Sequence, residues 1–274
     1  MQIGVCSWCI DRQDPSRAIE AARWELELAA VQVGFFSSDV AERCDPAALA
    51  EHARAHDVAL VGTFAAFERE DYSSVSAIKA TGGLLPDATY PERLAMLRQV
   101  CALSRKLNCG NVGIHLGTVP EDAASAVHAR LRDRLIDAAD LCAEFGQRLS
   151  LETGREPVAA LIRLIEAADR DNVGVSFDPA NLFVYASDEP VNAVPKLRGL
   201  IDFVHIKDAV RPQSPGLSLG RQVAIGTGDV DVPRVVSKLR ASGYAGPLLI
   251  ETNLGGSNLQ TLRAAAAYLR SMLA

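Results

Sequence analysis

The chain has 274 residues, 49% of them hydrophobic and 23% charged, with a formal net charge of −6. That composition excludes a disordered chain, and Lys and Arg residues scattered through an acidic sequence argue against a nucleic-acid partner. The start at Met1 lacks a basic, apolar leader and no window reaches the roughly 18 uninterrupted apolar residues of a membrane helix, so a cytoplasmic protein that does not enter a membrane is expected.

Short apolar runs at 3–7, 30–34, 58–63, 111–115, 149–152, 173–178, 203–205 and 248–251 alternate with longer amphipathic stretches. Helix starts are marked by proline in the first turn at Asp14-Pro15, Asp45-Pro46, Tyr90-Pro91, Glu156-Pro157 and Val232-Pro233. The longest amphipathic stretch, 123–145, carries Leu131, Leu135, Ala138 and Cys142 on one face, with Gly146 placed to end it. Eight strands alternating with helices, with no linker or break in composition, predict a (β/α)8 TIM barrel that spans 1–274 as a single domain. Such barrels typically occupy roughly 250 residues. The rival is a doubly wound open sheet, which would place GxGxxG after the first strand; none is there.

Two long loops, 67–85 and 211–228, each follow a strand and are therefore expected to overhang the same barrel mouth as lids. Glu68 and Arg221 lie in them and are candidate substrate contacts, although polar loops carry such charges in any case. The six cysteines sit mostly in apolar surroundings of a chain too long to need disulfides, so they are expected to be reduced core residues. Cys6-Ser7-Trp8-Cys9 is a CxxC, but residues 11–15 separate it from the helix that a redox motif would open. His52, His56 and His128 fall in or beside helices and are expected to be exposed.

Four consecutive strands end on metal-binding side chains: Glu152, Asp178, His205 and Glu251. Side chains alternate along a strand, so each ligand's face can be read. Ser150 and Arg148 share the face of Glu152, while Leu149 and Leu151 take the other. Ser176 and Gly174 go with Asp178, against Phe177, Val175 and Val173. Phe203 and Lys207 go with His205, against Val204 and Ile206. Leu249 goes with Glu251, against Leu248 and Ile250. In all four strands an apolar set suits the helix layer and leaves the polar residue facing the axis. Three carboxylates converging without a cation would repel one another and be costly to desolvate. One divalent ion resolves this, and oxygen donors with one imidazole suit Mn²⁺, Mg²⁺, Co²⁺ or Zn²⁺.

The sequence resembles the sugar phosphate isomerase/epimerase superfamily of xylose-isomerase-like TIM barrels. The motifs that carry the resemblance are Ser150-Leu151-Glu152, Phe177-Asp178-Pro179-Ala180-Asn181, Val204-His205-Ile206-Lys207-Asp208, the run from Gly226 to Asp231, and the run from Gly243 to Glu251. The resemblance implies that Glu152, Asp178, His205 and Glu251 hold the metal, and it suggests a homo-oligomer. Many members carry histidine three residues after the metal-binding aspartate; this chain has Asn181, which can hydrogen-bond a hydroxyl but cannot shuttle a proton.

In such a site a divalent metal would polarise the carbonyl of an open-chain keto sugar or polyol derivative. Glu152 and Glu251 would then act as a base and acid pair, passing through an enediolate intermediate. Lys207 could stabilise the enediolate oxygen, and His115 and Asn181 could hydrogen-bond the substrate. Asp208 could orient Lys207, and Gly226-Thr227-Gly228 could cradle a phosphate or simply form a tight turn. A lyase that dehydrates an inosose-like keto-polyol would share the enolate step, and a non-catalytic sugar-binding barrel would share the fold. Phosphodiester hydrolysis would need more clustered histidines than His115 and His205.

Overall fold

The computed structural model describes residues 1–252 and 259–273. In chain order its strands are β1 (Ile3–Cys6), β2 (Ala30–Phe35), β3 (Ala59–Ala65), β4 (Asn111–Ile114), β5 (Arg148–Glu152), β6 (Val173–Phe177), β7 (Ile201–Ile206), β8 (Asp208–Val210), β9 (Arg221–Val223) and β10 (Leu248–Ile250). Strands β1 to β7 and β10 pair in parallel into a closed barrel, in the order β1-β10-β7-β6-β5-β4-β3-β2. Strands β8 and β9 form a separate antiparallel hairpin at the mouth. This is the (β/α)8 TIM barrel that the periodicity predicts.

The first helices are α1 (Ser16–Glu20), α2 (Ser38–Arg43), α3 (Pro46–Ala55), α4 (Val75–Thr81), α5 (Tyr90–Lys106) and α6 (Ala126–Glu144). They are followed by α7 (Val158–Ala168), α8 (Pro179–Val184), α9 (Pro190–Lys196), α10 (Val232–Ala241) and α11 (Leu259–Leu273). Asp–Pro starts work by capping: Asp45 Oδ1 accepts from the N–H of Ala47 at 2.9 Å and of Ala48 at 3.1 Å, satisfying donors that have no partner inside the helix. Helix α6 begins at 126 rather than 123 because Asp122 closes a turn onto the Ala124 N–H, leaving Ser125 as the cap. Among the described residues no helix is long and apolar enough to cross a membrane.

Leu149, Leu151, Val173, Val175, Phe177, Val204, Ile206, Leu248 and Ile250 are buried in the layer between strands and helices. Full burial of such a side chain contributes about 1.5–3 kcal/mol each. Inside the barrel, Phe203 and Leu249 fill the space that Gly62 and Gly4 leave open, since a Cβ on either glycine would meet those side chains within 3 Å. Below them the floor is polar. Arg148 Nε reaches Asp202 Oδ1 at 3.0 Å, and Ser150 Oγ donates to Asp202 Oδ2 at 2.8 Å. Asp202 has the parity of an outward residue, but β7 is bulged against β6 there, and the extra residue turns the carboxylate to the axis.

Both long loops carry structure of their own. The first contains α4 and is clamped at Gly83, whose φ of +64° and contact with Leu116 and Gly117 leave no room for a Cβ. The second contains β8 and β9. Asp208 pins it: Oδ2 accepts from the N–H of Gly226 and Gly228, each at 2.9 Å, and Oδ1 from Ala209 at 2.9 Å and Val230 at 3.3 Å. Asp208 therefore holds this turn, which corrects the expectation that it orients Lys207. The glycine amides are already engaged, so the turn reading of 226–228 stands over the phosphate cradle. His128 is buried, contrary to expectation, because it lies on the same inward stripe of α6 as Leu131 and Leu135. His52 and His56 are partly buried rather than exposed.

Candidate active site

Four strand ends deliver the predicted ligands to one place. Glu152 closes β5, Asp178 follows β6, His205 lies in β7 and Glu251 follows β10. Each offers a ligand atom within 4.8 Å of the others, and all four are buried. Asp178 divides its two oxygens. Oδ1 caps α8 by accepting from Ala180 N at 2.9 Å and Asn181 N at 3.0 Å, whereas Oδ2 faces the cluster.

The middle of the cluster holds a lysine. Lys207 Nζ lies 2.7 Å from Asp178 Oδ2, 2.9 Å from Glu251 Oε1 and 3.6 Å from Glu152 Oε1. Three carboxylates meet here on one ammonium, a surplus of oxygen donors that a divalent cation would complement. Three buried atoms, Asp178 Oδ2, His205 Nδ1 and Glu251 Oε2, have no hydrogen-bond partner. Glu251 Oε2 is 3.1 Å from His205 Nδ1, but this contact and the Lys207–Asp178 contact lack hydrogen-bond alignment, as donor atoms aimed at a shared ion would.

Gln32, buried in β2, sets the imidazole. His205 Nε2–H donates to Gln32 Oε1 at 2.7 Å, so in the neutral ring the lone pair is on Nδ1, toward the carboxylates. The donor set thus fits a hard or borderline divalent ion. Cys6 also lies beside His205 and Glu251, but burial pushes its thiol well up and keeps it a thiol. Cys9 is likewise pushed up to about 12 by burial, and all six cysteines are free.

The cluster also draws protons. Burial would lower His205, yet the close carboxylates of Glu152 and Glu251 outweigh burial and raise it to about 9. Glu152 is opposed by burial but falls well below the carboxylate range under the charges of His115 and Lys207. Burial likewise opposes Glu251, which Lys207 and His205 bring down to about 2.

Around the cluster stand further polar and aromatic groups. His115 Nε2 is 2.8 Å from Glu152 Oε2, and its Nδ1 is 2.8 Å from Tyr72 Oη, which donates to Glu70 Oε2 at 2.9 Å. Against burial, the charges of Glu152 and Glu70 raise His115 to about 10, so both ring nitrogens donate. Asn181 Nδ2 donates to Glu152 Oε1 at 3.0 Å and so orients that carboxylate. Arg155 lies over the rings of Tyr72 and Tyr185. Trp8, Phe36 and Phe64 form an aromatic wall against His205. The recess bounded by His115, Arg155, Asn181 and Tyr185 measures about 20 Å³, room for about one water molecule.

Two expected contacts lie elsewhere. Glu68 is exposed, with its backbone carbonyl accepting from Arg93 Nη2; the loop carboxylate that enters the site is Glu70. Arg221 is exposed on β9, and its neighbour Gln222 donates to the Glu251 carbonyl at 3.3 Å. Gln32, Glu70, Tyr72 and Arg155 were not legible as site residues. A lone polar residue in the apolar run 30–35 was the one available signal, for Gln32.

The family model for the xylose isomerase-like TIM barrel matches residues 19–272. The chain belongs to this family. Among solved structures, a xylose isomerase domain protein from Planctomyces limnophilus is 29% identical, with TM-score 0.86 over 99% of this chain and 96% of that one. An L-ribulose 3-epimerase superposes with TM-score 0.72 at 20% identity, over 99% and 94% of the two chains. A xylose isomerase-like TIM barrel protein from Mycobacterium smegmatis, solved in complex with magnesium, gives 0.71 at 17% identity, over 99% and 96%. No curated protein matches the sequence.

Proposed function

We propose that this family member is a divalent-metal-dependent isomerase or epimerase of a keto sugar or polyol derivative, working through an enediolate intermediate. The observation that carries the reading is the buried cluster of Glu152, Asp178, His205 and Glu251, with three unpartnered ligand atoms. These residues would hold one ion of the Mn²⁺, Mg²⁺, Co²⁺ or Zn²⁺ type. Bound there, it supplies Lewis-acid polarisation of the substrate carbonyl.

The chain's own groups do the rest. A carboxylate that holds the ion through one oxygen keeps the other for the substrate, so Glu251 takes the proton from the carbon beside the carbonyl. Glu152, oriented by Asn181 and His115, returns a proton, and the roles exchange in the reverse direction. The Lys207 ammonium stabilises negative charge developing on the substrate oxygen. His115 donates through Nε2 to Glu152 and through Nδ1 to Tyr72, and so fixes the Glu152 carboxylate for the proton transfer. Glu70 and Tyr72 reach His115 from the loop after β3, so that loop would close over a bound substrate.

The test is proton exchange. Metal-loaded protein, incubated in deuterated solvent with a panel of ketoses and keto-polyols, is expected to incorporate deuterium beside the carbonyl of its substrate. Glu152→Gln and Glu251→Gln are expected to abolish incorporation. Absence of exchange across the panel, or protein that takes up no divalent ion, would sink the proposal. In ordinary water, product mass separates isomerisation, which leaves it unchanged, from dehydration, which loses water.

A further inference from the structure

A second group of metal-ligating side chains lies outside the barrel. Glu20 ends α1, His52 lies in the last turns of α3 and His56 caps that helix; their ligand atoms are within 4.8 Å of one another. We propose that Glu20, His52 and His56 form a transition-metal site of the zinc type that clips α1 to α3.

Three features support the assignment. The histidines are spaced i, i+4, which puts both rings on one helix face, with centroids 4.2 Å apart. His56 Nδ1–H donates to the His52 carbonyl at 2.9 Å, a bond that fixes the tautomer and leaves Nε2 as the open donor. His52 Nε2 is buried without a hydrogen-bond partner. It lies 3.4 Å from Glu20 Oε1, but not aligned for a hydrogen bond.

Two imidazoles and one carboxylate are a borderline donor set, which favours Zn²⁺ over Mg²⁺. Ligands at about 2.0–2.1 Å from tetrahedral zinc lie roughly 3.3 Å apart, so closing the site needs side-chain movements of up to about 1.5 Å. The Glu20 side chain, 57% exposed, is free to make them. Access is open as well, because Glu20 is exposed and both histidines are only partly buried.

The experiment is calorimetric titration of tag-free, chelator-stripped protein with Zn²⁺, for the parent, His56→Ala, Glu20→Gln and Glu152→Gln. The parent is expected to bind two equivalents. His56→Ala should lose one and keep its proton-exchange activity. Glu20→Gln, a near-isosteric change on an exposed side chain, should weaken that same equivalent at least tenfold. Glu152→Gln should retain it, which separates this site from the barrel cluster. Zn²⁺ should also raise the Tm of Glu152→Gln, through the clip between helices. Equal stoichiometry and affinity in the parent, His56→Ala and Glu20→Gln would overturn the proposal, whatever the barrel site does.

Discussion

Glu156→Gln is expected to stabilise the protein in alkaline but not in acid solution. Glu156 is buried, and burial pushes its carboxyl from the ordinary 4.5 up to about 7, against the Arg155 charge and the N–H groups of Gly154, Glu156 and Val119. The folded state therefore holds this proton more tightly than the unfolded chain. The carboxyl costs nothing below the unfolded value and takes stability away as pH rises from 4.5 through about 7. At 1.36 kcal/mol per pH unit, two-state linkage between those values gives a cost of about 1 kcal/mol at pH 5 and about 3 kcal/mol at pH 8. The difference, about 2–3 kcal/mol, vanishes in Glu156→Gln, which does not titrate. Any loss from replacing one acceptor oxygen by an amide is the same at both pH values and cancels. At about 2 °C per kcal/mol for a chain of this size, the Tm advantage of the variant over the parent should be about 5 °C larger at pH 8 than at pH 5. Scanning calorimetry of both proteins at the two pH values reads this directly. An advantage that does not change with pH would refute the reasoning, because it would mean that the carboxyl is not held protonated by burial.

Gln32→Leu removes the acceptor that keeps the His205 lone pair on Nδ1, and should weaken divalent-ion binding about 10- to 100-fold, read by isothermal titration, with little change in fold by circular dichroism. Asp208→Asn replaces an acceptor by a donor facing two backbone N–H groups; a loss of about 2–4 kcal/mol is expected, seen as a Tm lowered by several degrees. Gly83→Ala places a Cβ about 2.1 Å from backbone atoms of Leu116 and Gly117 at a φ of +64°. It should cost about 2 kcal/mol or more and raise KM by loosening the loop that carries Glu70 and Tyr72.

The barrel and the ligand cluster were legible for the same reason. Strand periodicity separates an apolar set, such as Val173, Val175 and Phe177, from an inward set, and a charged residue in the inward set at a strand end stands out. Where the period fails, so does the reading. Asp202 sits on a bulge, which reverses its parity. The loop from 67 onward has no period, so nothing distinguishes Glu68, which faces solvent, from Glu70, which reaches His115. Arg155 lies just past β5, where the chain has left the strand. Lys207 keeps the parity of His205, and its place on that face was legible. Its position among three carboxylates depended on how far the neighbouring strands converge, which one strand's sequence does not encode.

Asp178 gives one oxygen to the first turn of α8 and the other to the barrel axis. This narrows what position 178 can tolerate. Asparagine caps a helix as well as aspartate does but brings no charge to the axis; glutamate brings the charge but is not among the side chains favoured as caps. A variant that loses the cap also displaces Asn181, and with it the orientation of Glu152. Folding and chemistry thus constrain the same carboxylate from opposite sides, so substitutions tolerated at the other ligand positions should fail here.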